Sequence, residues 1–251
     1  MKVLASDFDN TMFFEHKYFK NEDIHAIREF QKEGNLFGIC SGRPFSGLLR
    51  PLKGILKPDF FIVSTGGAIL DKDYHLLYGK KVPFDTANEI YLTYKDEIGL
   101  IAQTLSHDKF YCTLVNENDH EVKISSLQEM KDHDLYSISL IDSTVERAKQ
   151  ITLEINKKYK DVRAYQNVDS VDVVEKSCSK GKAIMKLKDL LNIDHIAGIG
   201  DSFNDLPMLE VVDQSFTFHD SPILIKEKSN YVVENVKEAI DILNKEIKVY
   251  K

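Results

Sequence analysis

KVLASDFDNTMFF, residues 2–14 of a 251-residue chain, sets two carboxylates against the end of an apolar run. Val3 to Ser6 reads as a short buried strand, and Asp7 and Asp9 follow it directly, where uncompensated charge is costly. Either the pair closes a turn through Asx hydrogen bonds, or it holds a cation and does chemistry. Two more strand-like runs, LFGICSG and DFFIVSTGG, follow at helix-length intervals. That alternation predicts parallel βαβ units. In open parallel sheets ligands bind beyond the carboxyl ends of the strands, which is where Asp7 and Asp9 stand.

Between the first two strands, Ile24, Ile27 and Phe30 recur at helical spacing, with Asn21 as N-cap and Gly34 as C-cap. AILDKDYHLLYGKKV reads as a hairpin turning at Asp71 to Asp73. After Val82 the rhythm changes to a helix, strand candidates LIAQTLS, FYCTLVN and LYSISLI, a helix with Val145, Ala148, Ile151 and Ile155 on one face, and paired strands DVRAYQN and SVDVVEK. From Lys180 single strands and helices alternate again, ending in a helix from Val236. The pattern predicts an α/β fold: a Rossmann-like, mostly parallel sheet core with helices on both faces, from residues 1–82 and 177–251, plus an inserted α+β domain at 83–176.

With 43% hydrophobic and 29% charged residues, the composition is that of an ordinary globular protein. A net charge of −7 with no long basic block argues against nucleic acid as a partner. No apolar run is long enough to span a bilayer, no signal-like segment opens the chain, and the ending NKEIKVYK reads as a solvated helix end. Cys40, Cys112 and Cys178 contain no CxxC pair, so neither a disulfide framework nor a zinc site is indicated. A reducing, cytoplasmic setting without membrane attachment is expected. The oligomeric state is left open, and a monomer is compatible with everything read.

Three later sites share the character of the first. In CSGRP, residues 40–44, the Ser41 hydroxyl and Gly42 amide stand at a helix start, which is either an anion cradle or a capping serine with Pro44 in the first turn. Lys180, in SKGKAI, sits at the mouth of a helix, where a cation is unfavourable unless negative charge lies close. GIGDSFNDLPML, residues 198–209, brings Asp201, Asn204 and Asp205 to another strand end, with helix capping by Ser202 or Asp201 as the plainer alternative. Four such sites, in order, at four strand ends of one sheet are hard to explain as turns.

Together DFDNT, CSGR, SKG and GDSFND resemble the four ordered motifs of the haloacid dehalogenase superfamily, and in particular its Cof-type phosphatases. Those enzymes carry a large α+β cap (type two, subtype B) between the second and third motifs. The likeness covers essentially the whole chain, although the cap matches only in size, position and strand pattern. It implies a Mg²⁺-dependent phosphatase that hydrolyses small phosphorylated metabolites, such as sugar phosphates or pyridoxal phosphate, through an aspartyl-phosphate. A phosphomutase of the same superfamily and a non-catalytic phosphate- or Mg²⁺-binding regulator are the alternatives.

By that resemblance Asp7 is the nucleophile and Asp9 the general acid and base. Mg²⁺ would be held by the Asp7 carboxylate, the Asp9 backbone carbonyl and Asp201. Lys180 would stabilise charge on nucleophile and phosphate, Ser41, Gly42, Arg43 and Asn204 would bind the phosphoryl group or substrate, and Asp205 would orient Lys180 or a metal-bound water. Several positions depart from the usual pattern: Asn10 stands for Gly, Ser41 for Thr, STGGA for an Asn-Gly-Ala loop, and FTFHDSP for an Ala-Met-Gly-Asn-Ala loop. The last two border the site and leave the substrate open. The cap is expected to select the ester without contributing an essential group, through residues such as His107, Tyr111, Glu117 and Arg163. Phe13, Phe14, Tyr18 and Phe19 fall where the resemblance places a flap, and packing between core and cap is its simplest role.

Overall fold

In the computed structural model, which describes residues 1–114 and 120–246, the opening run forms strand β1 (Val3–Ser6) with all four residues buried. The chain continues through β2 (Phe13–Phe14), β3 (Tyr18–Phe19), α1 (Asn21–Lys32), β4 (Leu36–Cys40), α2 (Phe45–Leu52), β5 (Phe60–Val63), β6 (Ala68–Asp71) and β7 (Leu76–Gly79). Next come α3 (Phe84–Tyr94), β8 (Gly99–Gln103), β9 (Phe110–Cys112), β10 (Glu121–Lys123), β11 (Ser137–Ile141), α4 (Val145–Lys158), β12 (Val162–Asn167) and β13 (Ser170–Glu175). The last stretch is α5 (Lys180–Leu191), β14 (Ala197–Ile199), α6 (Leu206–Leu209), β15 (Gln214–Phe218), α7 (Ile223–Lys228), β16 (Tyr231–Val233) and α8 (Val236–Glu246).

One sheet of eight strands runs in the order β16-β15-β14-β1-β4-β5-β6-β7, parallel as far as β5 and antiparallel in its last two pairings. β1 lies inside it and has helices on both faces, which is why its four residues read as unbroken burial rather than as an alternating pattern. Leu4, Phe37, Ile39 and Ile199 pack beneath α1, α2 and α8, while Val3, Ala5, Cys40 and Ile62 pack beneath α5, α6 and α7. Each large side chain so buried contributes roughly 1.5–3 kcal/mol.

A second sheet, in the order β10-β9-β8-β11-β13-β12, is antiparallel except for the β9–β10 pair. Leu100, Ala102, Ile138, Leu140, Val171 and Val173 point to one face and pack with Ile90 of α3 and Ile151 and Ile155 of α4. By the period of two, Gln103, Ser139 and Asp172 point to the other. Among the described residues no helix is long and apolar enough to cross a membrane.

Three local expectations change. Asn21 is the first helical residue of α1 rather than its cap; Lys20 occupies the cap position without a side-chain bond, and Glu22 and Asp23 complement the helix dipole instead. Val145 is 49% exposed, because it begins α4 and overhangs the sheet that buries Ala148, Ile151 and Ile155. The aromatic segment after Asp9 forms a β2–β3 hairpin packed on the large sheet's side, with Phe13 against Phe8 (5.2 Å) and Phe19 (4.9 Å). Residues 247–251 of the Lys-rich ending lie outside the described residues, as does Glu117.

Candidate active site

β1 and β14 run parallel with Ser6 beside Ile199, so the residues that follow them leave the sheet side by side. The Asp7 amide still donates to the Ile199 carbonyl (2.9 Å), and Asp201 emerges two residues beyond that carbonyl. Lys180, the first residue of α5, is wholly buried, and its Nζ donates to Asp7 Oδ1 and to Asp205 Oδ1, both at 2.6 Å. Helix α5 comes this close because residue 181 is Gly: a Cβ there would lie 1.9 Å from the Pro207 carbonyl oxygen. The otherwise unfavourable cation at a helix start is held by two carboxylates.

Asp205 Oδ2 accepts the amides of Asp201 and Ser202, each at 3.1 Å, so donors engage both of its oxygens. Asp7 Oδ2 has no hydrogen-bond donor among the described residues, and Thr11 Oγ1 donates to Asp201 Oδ1 at 3.2 Å. Asp7, Asp201 and Asp205 each place an oxygen within 4.8 Å of the others. Three carboxylates therefore face one ammonium. Burial, then repulsion from Asp205, raises the Asp7 carboxyl well above the ordinary range, against the pull of Lys180. The same two causes push Asp201 up to about 7. Burial would lower Lys180, yet Asp205 and Asp7 hold it well above its usual value. An all-oxygen set with excess negative charge suits a hard divalent cation.

This electrostatics makes metal-free stability depend on pH. The folded-state pKa of Asp201, about 7, exceeds the ordinary carboxylate value of about 4, so its contribution is complete below about pH 4 and is lost as pH rises through about 7. In EDTA the melting temperature should fall between pH 5 and 7.5, and Mg²⁺ should restore more of it at the higher pH, where no proton competes. A flat melting temperature across that window, or no response to Mg²⁺ at pH 7.5, would contradict the charge balance described.

Asp9 follows across a turn in which Asn10 takes a positive φ of 55°, a conformation Asn tolerates. Arg43 grips its carboxylate with a fork: Nε donates to Oδ2 (2.7 Å) and Nη2 to Oδ1 (2.6 Å). The guanidinium lies over the rings of Phe8 (5.2 Å) and Phe13 (5.6 Å), and Nη2 also meets His16 Nδ1 at 2.7 Å. Arg43, expected among the phosphate or substrate ligands, is thus directed at Asp9. Ser41 is buried, and its Oγ accepts the Arg43 amide at 3.1 Å. Asn204 is buried as well, with Oδ1 accepting from Ser202 Oγ (2.6 Å).

Two hollows adjoin these groups. One of about 940 Å³ opens beside Asp201 and Asn10, with Phe14 and Phe203 on the large sheet's side and Lys149 and Gln166 on the small sheet's side. The other, about 1460 Å³, lies beyond Arg43 and includes His16, His107 and His120. His107 is set there by edge contacts with Phe45 (5.4 Å) and Tyr74 (5.5 Å). Of the other expected cap contacts, Tyr111 packs on His133 (5.5 Å) and Arg163 is exposed, neither lining these hollows. Residues that reach the motif loops from the small sheet are instead Gln103, which donates to the Gly42 carbonyl, and Asp172, which accepts from Thr65. A signal for Asp172 was present: like Asp7, it is a charge within an apolar run, between Val171 and Val173.

A profile of the haloacid dehalogenase-like hydrolases matches residues 4–241. The 5-amino-6-(5-phospho-D-ribitylamino)uracil phosphatase YwtE of Bacillus subtilis is 24% identical over 272 residues, covering 95% of this chain and 94% of its own. Among solved structures, a haloacid dehalogenase-like hydrolase from B. subtilis superposes with a TM-score of 0.83 at 20% identity, over 98% of this chain and 99% of that one. The HAD subclass IIB sugar phosphatase BT4131 superposes with a TM-score of 0.74 at 20% identity, over 100% and 99%. The chain belongs to the haloacid dehalogenase-like hydrolases.

Proposed function

We propose that the chain hydrolyses phosphate monoesters of small metabolites through an aspartyl-phosphate on Asp7, with Mg²⁺ as cofactor and residues 83–176 acting as a cap. The chain is a phosphatase of its family, a phosphoric monoester hydrolase. The observation that carries the mechanism is the state of Asp7: buried, with one oxygen fixed by Lys180 and the other lacking any hydrogen-bond donor among the described residues.

Asp7 Oδ2 attacks phosphorus in line, and the ester oxygen leaves with a proton from Asp9. A water then gives its proton back to Asp9 and attacks the phosphorus of the acyl phosphate, releasing phosphate and restoring the Asp7 carboxylate. Arg43 holds the Asp9 carboxylate by both oxygens until substrate enters. Lys180, the Ser41 hydroxyl and the Gly42 amide face the phosphoryl oxygens, and Asp205 holds Lys180 in place. Asp7, Asp201 and the Asp9 carbonyl would hold Mg²⁺, which when bound supplies the positive charge that lets a phosphate dianion approach carboxylates.

One relative is named for a phosphorylated ribitylaminouracil and a structural neighbour for sugar phosphates, both small phosphate esters. The hollow beside Asp201, with aromatic walls and the polar Lys149 and Gln166, is suited to a leaving group of that size. Three free, buried thiols fit a reducing compartment, and we place the reaction in the cytoplasm. A phosphate-release screen over a panel of phosphorylated metabolites tests the reading. Release is expected with Mg²⁺, less with Zn²⁺ and none after EDTA. No release from any ester, or full activity after exhaustive EDTA that added Mg²⁺ does not raise, would reject it.

A further inference from the structure

Between the small sheet and the motif loops runs a chain of buried polar side chains. Gln103 Nε2 donates to the Gly42 carbonyl (3.0 Å) and to Ser139 Oγ (2.7 Å); Ser139 Oγ donates to Asp172 Oδ1 (2.6 Å); from the large sheet's side, Thr65 Oγ1 donates to Asp172 Oδ2 (2.8 Å). Gln103, Ser139, Asp172 and Thr65 are each 5% exposed or less. No Lys or Arg forms an ion pair with Asp172 among the described residues. Burial raises its carboxyl above the ordinary range, while the two hydroxyls pull the other way. A charge-bearing group so placed is costly, and the hydrogen bonds these four side chains make run to one another and to Gly42, while Gln103 Oε1 has no partner among the described residues.

Asp172 also lies against Gly42 itself: a Cβ at residue 42 would be 2.6 Å from Oδ2. Thr65 takes a positive φ of 53°, rare for a β-branched residue, and its hydroxyl is tied to this carboxylate. The bond from Gln103 settles which way the Gly42–Arg43 peptide faces. With that carbonyl drawn toward the small sheet, the Arg43 amide on the other side donates to Ser41 Oγ at 3.1 Å. A hydroxyl has one proton to give. Because Ser41 Oγ is engaged as an acceptor, and its proton meets no acceptor among the described residues, that proton is free for an anion.

We infer that Asp172, with Ser139 and Gln103, is a positioning residue for phosphoryl transfer: the inserted segment itself orients the Ser41–Gly42 phosphate cradle, and does so only while docked on it. This rests on the phosphatase reading above, and it departs from the expectation that the insert contributes no essential group.

The test uses the full-length enzyme with Mg²⁺, measuring kcat and KM for p-nitrophenyl phosphate and the inhibition constant of inorganic phosphate. Asp172→Leu, Gln103→Leu and Thr65→Val should each lower kcat/KM by about tenfold or more, the scale of one hydrogen bond to a charged site, and weaken phosphate inhibition similarly. Asp172→Asn keeps one acceptor and offers Thr65 a donor, so it should return to within about threefold of wild type. The double variant Thr65→Val, Asp172→Leu should be no worse than its worse parent. A merely structural role would lower the melting temperature without moving the phosphate inhibition constant. If Asp172→Leu does not fold, Thr65→Val and Gln103→Leu break the same bridge from either end. Folded variants with both constants within twofold of wild type would overturn the inference while wild-type turnover upholds the phosphatase reading; an inactive wild type would overturn both.

Discussion

Asp7→Asn protein should hydrolyse its best ester at least about 1000-fold more slowly than wild type, about 4 kcal/mol in barrier, while folding normally. On the proposed mechanism the substitution preserves shape and removes the attacking carboxylate: a carboxamide oxygen is a far weaker nucleophile and would yield no acyl phosphate. Its effect on stability should have the opposite sign. Asp7 is one of three carboxylates facing the single ammonium of Lys180, and its own carboxyl is already raised by burial and by Asp205. Removing that charge relieves repulsion, so in EDTA the variant should melt no lower than wild type. This separates lost chemistry from lost fold. Mass spectrometry must confirm Asn at position 7, because deamidation regenerates the nucleophile. Turnover within tenfold of wild type in a verified preparation would end the assignment of Asp7 as nucleophile.

Lys180→Met should cost about 3–5 kcal/mol of stability at neutral pH, the penalty for leaving buried carboxylates without their partner. Lys180 is completely buried and bridges two acids that are buried with it. Methionine fills the space of the aliphatic stem and supplies no donor, so Asp7 and Asp205 would face each other uncompensated. The deficit should shrink as pH falls, because protonating Asp7, whose carboxyl already lies above the ordinary range, removes the stranded charge. Urea unfolding in EDTA at pH 7.5 and 5.5 measures the difference. Equal deficits at the two pH values, or stability equal to wild type at pH 7.5, would show that the ion pair does not do what its geometry indicates. Mg²⁺ should recover part of the loss, and turnover should stay low even so, since the cation that fixes Asp7 Oδ1 is gone.

Asp7 and Arg43 differ in how much of their surroundings can be read from neighbouring residues. Asp7 stands out because a carboxylate at the end of a fully buried strand violates the ordinary burial pattern, and violations of that kind are local. Arg43 was assigned to the substrate from its place beside Ser41 and Gly42. In the structure its guanidinium pairs with Asp9, 34 residues away, a contact that depends on how two loops cross. Asp172 carries the same local signal as Asp7 but stands between the second and third motifs, in a stretch that matches none of the four. Its partner Thr65 is 107 residues away.

From the sequence alone follow the alternation of strand and helix, the mostly parallel sheet, the family, and the short runs that carry Asp7, Ser41, Lys180 and Asp201. All of these rest on period, composition and order, which are properties of neighbouring residues. The tertiary structure alone decided that β14, from the far end of the chain, lies against β1, that Lys180 reaches across 173 residues to Asp7, and that Asp172 reaches the Gly42 loop from a different sheet. Such contacts form because burial in a shared core brings distant strand ends together, and a desolvated charge must then be matched by whatever group that packing has placed within hydrogen-bond reach.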